Sequence, residues 1–512
     1  MLKTENAAAW FVDRHLEEGR ADKVAFLEAD GSQRRITYGQ LATDSSEFAG
    51  ALLRAGIRRE ERMAMLIRDQ IEFPVAFWGA LKAGVIPIPL NTLLSSAVYD
   101  TILTDSRASI LVVSEALWET VEPAITENPF LRTVVVIGDA PQNTISFSAF
   151  TKGAEPQPTV SVSGDETAFW LYSSGSTGMP KGVRHVHSSL KATADTFGAQ
   201  VLNIQTDDVV YSVAKLFFAY GLGNGISFPM AVGATTVLLG GRPVPDVAFE
   251  IIEQHKPTLF CGVPTLFAAM NAELEKSGRS ISSKLRLCTS AGEALPREVG
   301  EAWQKHVGAE IVDGVGSTEM LHIFLSNRPG DVVYGTSGTA VPGYEVRLVG
   351  DNDQDVGEGE VGELLVCGPS SAESYWNRRE KSRETFEGLW TRTGDKYERT
   401  KEGRYIYCGR TDDMFKVSGI WVSPFEIEQT LVEHPAVLEA AVVAHADDKG
   451  LDKPKAFVVL KDGQEAAAIA DLKDYVKDKI GMWKYPRWVE IVDDLPKTAT
   501  GKIQRFKLRA QS

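Results

Sequence analysis

Only four cysteines are spread over 512 residues, with no CxxC pair and no Cys/His spacing suited to a metal or a disulfide framework. Cys261, Cys288, Cys367 and Cys408 therefore read as free thiols in a reducing compartment. No apolar run approaches the ~20 residues of a membrane-spanning helix. The N-terminal MLKTENAAAWFVDRHLEEG scatters charges where a signal peptide would be apolar. A cytoplasmic protein without a membrane partner is the expectation. Basic residues are in deficit, 54 Lys+Arg against 69 Asp+Glu, for a net charge of −15. That balance excludes a general nucleic-acid binder, because phosphate backbones are held by basic patches. It leaves room for a small anion in a locally basic pocket. Internal repeats and low-complexity tracts are also missing.

What the chain has is 43% hydrophobic and 24% charged residues, a globular composition long enough for more than one domain. Helical periodicity over Ile36–Ala55 and Ile71–Ala83 alternates with short apolar runs at Arg62–Ile67, Val85–Pro89, Ser109–Val113 and Thr133–Ile137. Such alternation predicts α/β architecture with parallel sheets. From Tyr334 the texture becomes Gly-rich and strand-dense, which predicts a β-rich subdomain. Beyond Asp412 a small α+β module follows, with helices over Pro424–His434 and Ala467–Ile480 and strands over Leu438–Ala444 and Ala456–Leu460. The expected division is a large N-terminal domain, residues 1–411, and a small mobile C-terminal domain, residues 412–512.

The most informative stretch is Ala168–Gly182, AFWLYSSGSTGMPKG. An apolar strand runs directly into Ser173, Ser174, Gly175, Ser176, Thr177 and Gly178, with Lys181 closing the loop. Glycines let backbone N–H groups approach a polyanion, hydroxyls add donors and the lysine adds a point charge. The loop suits the β- and γ-phosphates of a nucleotide, yet it is neither a Walker A loop nor GxGxxG. A flexible Ser/Gly linker would not sit hard against a strand with Pro-Lys-Gly at its end. Gly221-Leu-Gly-Asn-Gly225, by contrast, reads on its own as a turn or close helix packing.

YSSGSTGMPKG resembles the phosphate motif of the adenylate-forming superfamily, the acyl- and aryl-CoA synthetases and their relatives. Further motifs stand in order along nearly the whole chain. SAGEALP, with Ala291, Gly292 and Glu293, resembles the adenine-side loop. DGVGSTE, with Asp313, Gly314, Val315, Ser317, Thr318 and Glu319, resembles the second nucleotide motif, in which Glu319 would meet Mg2+. A single carboxylate suffices there because Mg2+ prefers hard oxygens and keeps phosphate and water ligands. Many relatives place a tyrosine where Val315 stands, so apolar contact replaces ring stacking on adenine. Asp395 and Arg410 match the ribose elements, Asp412 the hinge and Gly419 the thioester-forming loop. Lys502, in PKTATGKIQR, matches the catalytic lysine. A cation there would bridge the substrate carboxylate and the α-phosphate, and two unit charges at ~4 Å gain roughly 4 kcal/mol at an effective dielectric of about 20.

The resemblance implies catalytic roles for Lys502, Thr177, Lys181 and Glu319, with ATP, Mg2+ and coenzyme A as cofactor and co-substrates. His185, His187 and His322 are not required as bases, since the acid's carboxylate and the CoA thiol are themselves the nucleophiles. KLFFAYGLGN and GSTEMLHIFLSN resemble the benzoate–CoA ligase branch, which implies that Ala219, Tyr220, Gly316, His322 and Ile323 line a compact pocket for a flat ring. The implied reaction makes aroyl-AMP and pyrophosphate, then an aroyl-CoA, in aromatic compound degradation. The rivals are an aryl-acid enzyme loading a carrier-protein thiol and a non-catalytic nucleotide-binding protein on the same fold. A homodimer and, by resemblance, acetylation of Lys502 complete the expectations.

Overall fold

The computed structural model describes residues 5–174, 180–281, 284–417, 420–448, 451–461, 468–482, 484–497 and 503–511. The chain divides into two compact units, one formed by Met1–Val346 with Val366–Arg392, the other by Arg347–Leu365 with Thr393–Ser512.

The first unit holds two sheets of βαβ origin. One is all parallel, in the order Ile86–Pro89, Arg62–Leu66, Ile110–Ser114, Thr133–Ile137, Ile145–Ser146. Ile110–Ser114 is buried throughout, as expected for a strand covered on both faces. Helix Glu72–Ala83, apolar on nearly every side, packs inside the same lobe. The other sheet has a parallel centre that includes Val209–Ser212, Leu259–Gly262, Leu287–Ser290 and Ile311–Gly316. Its core gathers Phe260, Phe267, Trp303 and Ile311.

Sequence periodicity and structure differ at one helix start. Periodicity points to Ile36, but Arg35–Thr37 is a strand and the helix is Tyr38–Arg54. Thr37 stops the strand with a capping box, its hydroxyl accepting from Gln40 N–H while Gln40 returns to Thr37 N–H.

In the second unit, Tyr405–Arg410 pairs antiparallel with the strand Trp390–Arg399, from Arg399↔Tyr405 to Asp395↔Arg410 with a bulge between Lys396 and Tyr397. The α+β module follows. Val437–Ala446 pairs antiparallel with Asp452–Leu460, which pairs parallel with Trp488–Ile491. Val422, Ile427, Leu431, Leu472 and Val476 join these strands in one core. Among the described residues no helix is long and apolar enough to cross a membrane. All four cysteines are free, Cys261 and Cys288 fully buried and Cys367 and Cys408 half-buried.

Candidate active site

The predicted phosphate loop joins two antiparallel strands, Thr167–Ser174 and Pro180–Val186. Their register sets Ser173 against Lys181 and Ser174 against Pro180. Gly175, Ser176, Thr177 and Gly178 lie outside the described residues. The Ser173 hydroxyl is enclosed and meets no protein hydrogen-bond partner among the described residues. A third strand, Ser374–Tyr375, adds to the hairpin edge with Tyr375 opposite Val183. That pairing carries a consequence for the site. Lys181 Nζ lies 4.7 Å from the Tyr375 ring centroid, and the Tyr375 hydroxyl donates to Glu319 Oε1 at 2.8 Å. Tyr375 thus joins the predicted phosphate lysine to the predicted metal carboxylate. No sequence motif contains it, because strand pairing alone brings it there.

Glu319 stands in the connection between Ile311–Gly316 and Ile323–Ser326, an antiparallel pair. Ser317 Oγ accepts from Met320 N–H at 3.2 Å, and Ala372 N–H donates to the Glu319 carbonyl at 2.8 Å. His185, fully buried, meets the Thr318 carbonyl through Nε2 at 2.9 Å. A carbonyl only accepts, so Nε2 carries the proton. Burial lowers the His185 pKa to about 4. The ring is therefore a neutral strut for Thr318 and not a base.

Asp313 pairs in register with Ser290, which brings the DGVGSTE segment beside Ala291, Gly292 and Glu293 at the carboxyl ends of two adjacent parallel strands. Open α/β sheets place their ligands at such ends. Gly292 turns the chain there with φ +96°. Burial pushes the Asp313 carboxyl well above the usual carboxylate range. Gly314 and Val315 continue the strand, Val315 half-buried opposite Leu325.

Tyr220 and His322 come together across 102 residues, with the His322 Nε2 3.3 Å from the Tyr220 carbonyl. Phe228, Phe197 and Tyr220 surround the imidazole, with ring centroids at 4.5, 5.2 and 5.6 Å. Burial drops the His322 pKa to about 3. Ile323 is buried next to it and pairs with Gly316, while Ala219 is half-buried at the start of helix Ala219–Leu222. A Cβ on Gly223 would lie 2.3 Å from His322 Cδ2, so only glycine allows the imidazole its position. Gly223–Ser227 is a turn of π-helix, a form that clusters at functional sites. It buries Asn224 completely, and neither amide atom meets a hydrogen-bond partner among the described residues. The glycine run is thus close packing, with Gly223 making room for His322 beside the buried Asn224.

In the second unit Asp395 and Arg410 face each other across the strand pair, Oδ1 to Nη1 3.0 Å, and Arg410 also donates to the Thr393 carbonyl at 3.0 Å. A Cβ on Gly394 would come 2.8 Å from Arg410 Nη2, at a φ of +70°, which accounts for Thr-Gly-Asp. Asp412 is exposed in the following turn. Its neighbour Asp413 accepts from Arg509 at 2.9 Å and from Arg505 at 3.4 Å. Arg505 in turn makes a two-pronged contact with Glu428, at 2.6 and 3.0 Å. Lys502 and Gly419 lie outside the described residues. The residues flanking Lys502 are anchored: Lys497 bridges Ile503, Gln504 N–H donates to the Pro496 carbonyl at 2.7 Å, and Lys497 reaches Glu439. A loose basic tail is therefore not what Lys497 and Arg505 form.

The chain belongs to the AMP-binding enzyme family, whose model matches residues 12–376, with the AMP-binding enzyme C-terminal domain over residues 426–502. More narrowly, it is 51% identical to a 4-hydroxybenzoate–CoA/benzoate–CoA ligase of Rhodopseudomonas palustris, covering 99% of this chain and 94% of that one. A benzoate CoA ligase from Burkholderia xenovorans LB400 superposes with a TM-score of 0.90 at 48% identity, covering 98% of this chain and 99% of that chain. The anthranilate CoA ligase AuaEII, solved with anthranoyl-AMP, gives 0.93 at 42% identity over 100% of this chain and 98% of its own.

Proposed function

We propose that this chain is an AMP-forming acid–CoA ligase whose acid is benzoate or a substituted benzoate. Identity of 51% over the whole length to a benzoate-activating ligase carries this reading. The Tyr220–His322 pair, set among aromatic rings, supports a flat substrate. In the first step the carboxylate oxygen attacks the α-phosphorus of ATP and pyrophosphate leaves. In the second the CoA thiol attacks the acyl carbon and AMP leaves. Lys181 with the serines and Thr177 of the hairpin holds the terminal phosphates, and Lys502 neutralises the two anions that meet in the first step. Asp395 accepts from the ribose hydroxyls, with Arg410 fixing its carboxylate. Ala291, Gly292, Glu293, Asp313, Gly314 and Val315 hold the adenine, and Ser317 and Thr318 approach the α-phosphate.

The donor set fits magnesium. Glu319 would offer the ion one carboxylate, a hard oxygen donor of the kind magnesium prefers. When bound, the ion neutralises phosphate charge; Tyr375 fixes the carboxylate that holds it.

The functional division lies at Asp412, with residues 1–411 binding ATP and acid and residues 412–512 carrying Lys502 and Gly419 in a mobile α+β lid. A cytoplasmic location accords with four unpaired cysteines. Pairing as a homodimer, testable by sedimentation, and acetylation of Lys502, which would remove the charge adenylation needs, belong to the same reading.

The test is acid-dependent release of AMP and pyrophosphate with CoA present, across benzoate, hydroxy-, amino- and halobenzoates, cyclohexanecarboxylate and octanoate. The expected result is turnover with benzoates and a CoA thioester as product. Turnover confined to aliphatic acids would overturn the pocket, and aroyl transfer only to a carrier-protein thiol would overturn the acceptor.

A further inference from the structure

We propose that the cleft beside Tyr375 is a second anion site, which receives pyrophosphate as it leaves the adenylation centre. The cleft is a broad depression open to solvent, of about 630 Å3, lined by Arg107, Arg378, Arg379, Arg383 and Tyr375 among others. Arg107 ends the helix Ser96–Ser106, while the other three arginines follow the strand Ser374–Tyr375. Of the four guanidiniums, Arg378 has Asp105 at 3.8 Å. Among the described residues Arg107, Arg379 and Arg383 have no carboxylate within 4 Å.

In a chain with a net charge of −15, carboxylates are abundant enough to neutralise an ordinary surface cation. Four guanidiniums around one concavity, three without a carboxylate, repel one another and produce a local positive potential. A multiply charged anion relieves that repulsion. Arginine's planar fork matches phosphate oxygens with paired hydrogen bonds, which favours a phosphate-bearing ligand over a simple carboxylate.

Position decides which phosphate. Tyr375 forms part of the cleft wall and also touches Lys181 at 4.7 Å and Glu319 at 2.8 Å. The cleft therefore opens one side chain away from the residues assigned to the terminal phosphates. The group expelled there is pyrophosphate, and the assignment rests on the proposed adenylation releasing it. A basic site one step along lowers the chance that it returns to attack the adenylate. Coenzyme A also carries phosphates, so the experiment separates the two sources.

The full-length protein is saturated with a non-hydrolysable α,β-methylene analogue of ATP to fill the phosphate loop, and pyrophosphate binding is measured by equilibrium dialysis. Wild type retains one pyrophosphate. The exposed pair Arg379→Gln/Arg383→Gln weakens that binding at least roughly tenfold, the loss of two charge-assisted contacts. AMP formation at saturating ATP stays within about twofold, consistent with surface substitutions, while added pyrophosphate reverses adenylation more readily than in wild type. Absence of pyrophosphate binding in wild type, or unchanged affinity in the variant, overturns the proposal. A comparable rise in KM for CoA with pyrophosphate binding intact would assign the cleft to the coenzyme's phosphates and equally overturn it. No acid is present in the dialysis, so a wrong acid assignment cannot mimic either result.

Discussion

The Tyr375 hydroxyl donates to Glu319 Oε1 at 2.8 Å while its ring faces the Lys181 ammonium at 4.7 Å. One aromatic side chain therefore contacts both the lysine assigned to the ATP phosphates and the carboxylate assigned to magnesium. A hydrogen bond to a charged acceptor contributes about 1.5–3 kcal/mol. Tyr375→Phe keeps the ring and removes the donor. It should lower kcat/KM for ATP roughly tenfold or more and shift the magnesium dependence of AMP formation to higher concentration. A magnesium titration indistinguishable from wild type would show that Glu319 needs no such support.

Arg505 is held by Glu428 at 2.6 Å and lies three residues after Lys502. Glu428 is almost fully buried, and breaking such a pair costs about 3–5 kcal/mol. Glu428→Gln should lower the melting temperature and slow aroyl-AMP formation more than thioester formation from supplied aroyl-AMP. Lys502→Ala should abolish the first half-reaction and largely spare the second. Equal losses in both half-reactions, for either variant, would contradict a role confined to adenylation.

Asp412→Pro should retain adenylation and lose thioester formation, since proline fixes the backbone φ of a proposed hinge. Overall turnover at the wild-type rate would count against a hinge at this position.

Four buried imidazoles set an acid limit to stability. Burial lowers His15, His185 and His187 to about 4 and His322 to about 3, from 6.5. The unfolded chain binds these protons below pH 6.5 and the folded chain does not. Stability is therefore full above 6.5 and falls as the pH drops through the window down to about 4, by up to ~3 kcal/mol per histidine. Asp313 acts with the opposite sign, because its raised pKa makes the folded state the better proton binder above the ordinary carboxylate value. Urea midpoints measured from pH 8 to 4 should hold steady, then decline below 6.5. His187→Asn should flatten part of that decline, and an unchanged slope would place its titration elsewhere.

Gly223→Ala would drive a methyl group to 2.3 Å from His322 Cδ2. The imidazole must then shift inside a closed aromatic cage. We expect KM for the acid to rise at least roughly tenfold with KM for ATP little changed, since a misplaced pocket wall affects acid binding selectively. A parallel rise in both constants would indicate general misfolding.

What could be read from the chain was local. The strand before the Ser/Gly-rich loop and the helix Glu72–Ala83 follow from periodicity, whereas Asp395 and Arg410 stand out only through the family resemblance of their motifs. Tyr375, Glu428 and Asp413 could not be found that way, because each acts across distance in sequence: Tyr375 on Glu319 over 56 residues and Glu428 on Arg505 over 77. Periodicity failed at Ile36 for a related reason. An apolar alternation is shared by strand and helix there, and only the Thr37–Gln40 capping box separates them.

The buried cysteines bear on selectivity between nucleophiles. An acyl-adenylate is a strong electrophile, and a thiolate of the protein's own would compete with coenzyme A for the acyl group. Cys261 and Cys288 sit in adjacent parallel strands near Tyr220. Burial pushes the Cys288 thiol up to about 12 and the Cys261 thiol higher still, and Cys408 also reaches about 12. Held as thiols, these three sulfurs are poor rivals for the acyl group, which leaves the coenzyme's thiol the better nucleophile beside Tyr220.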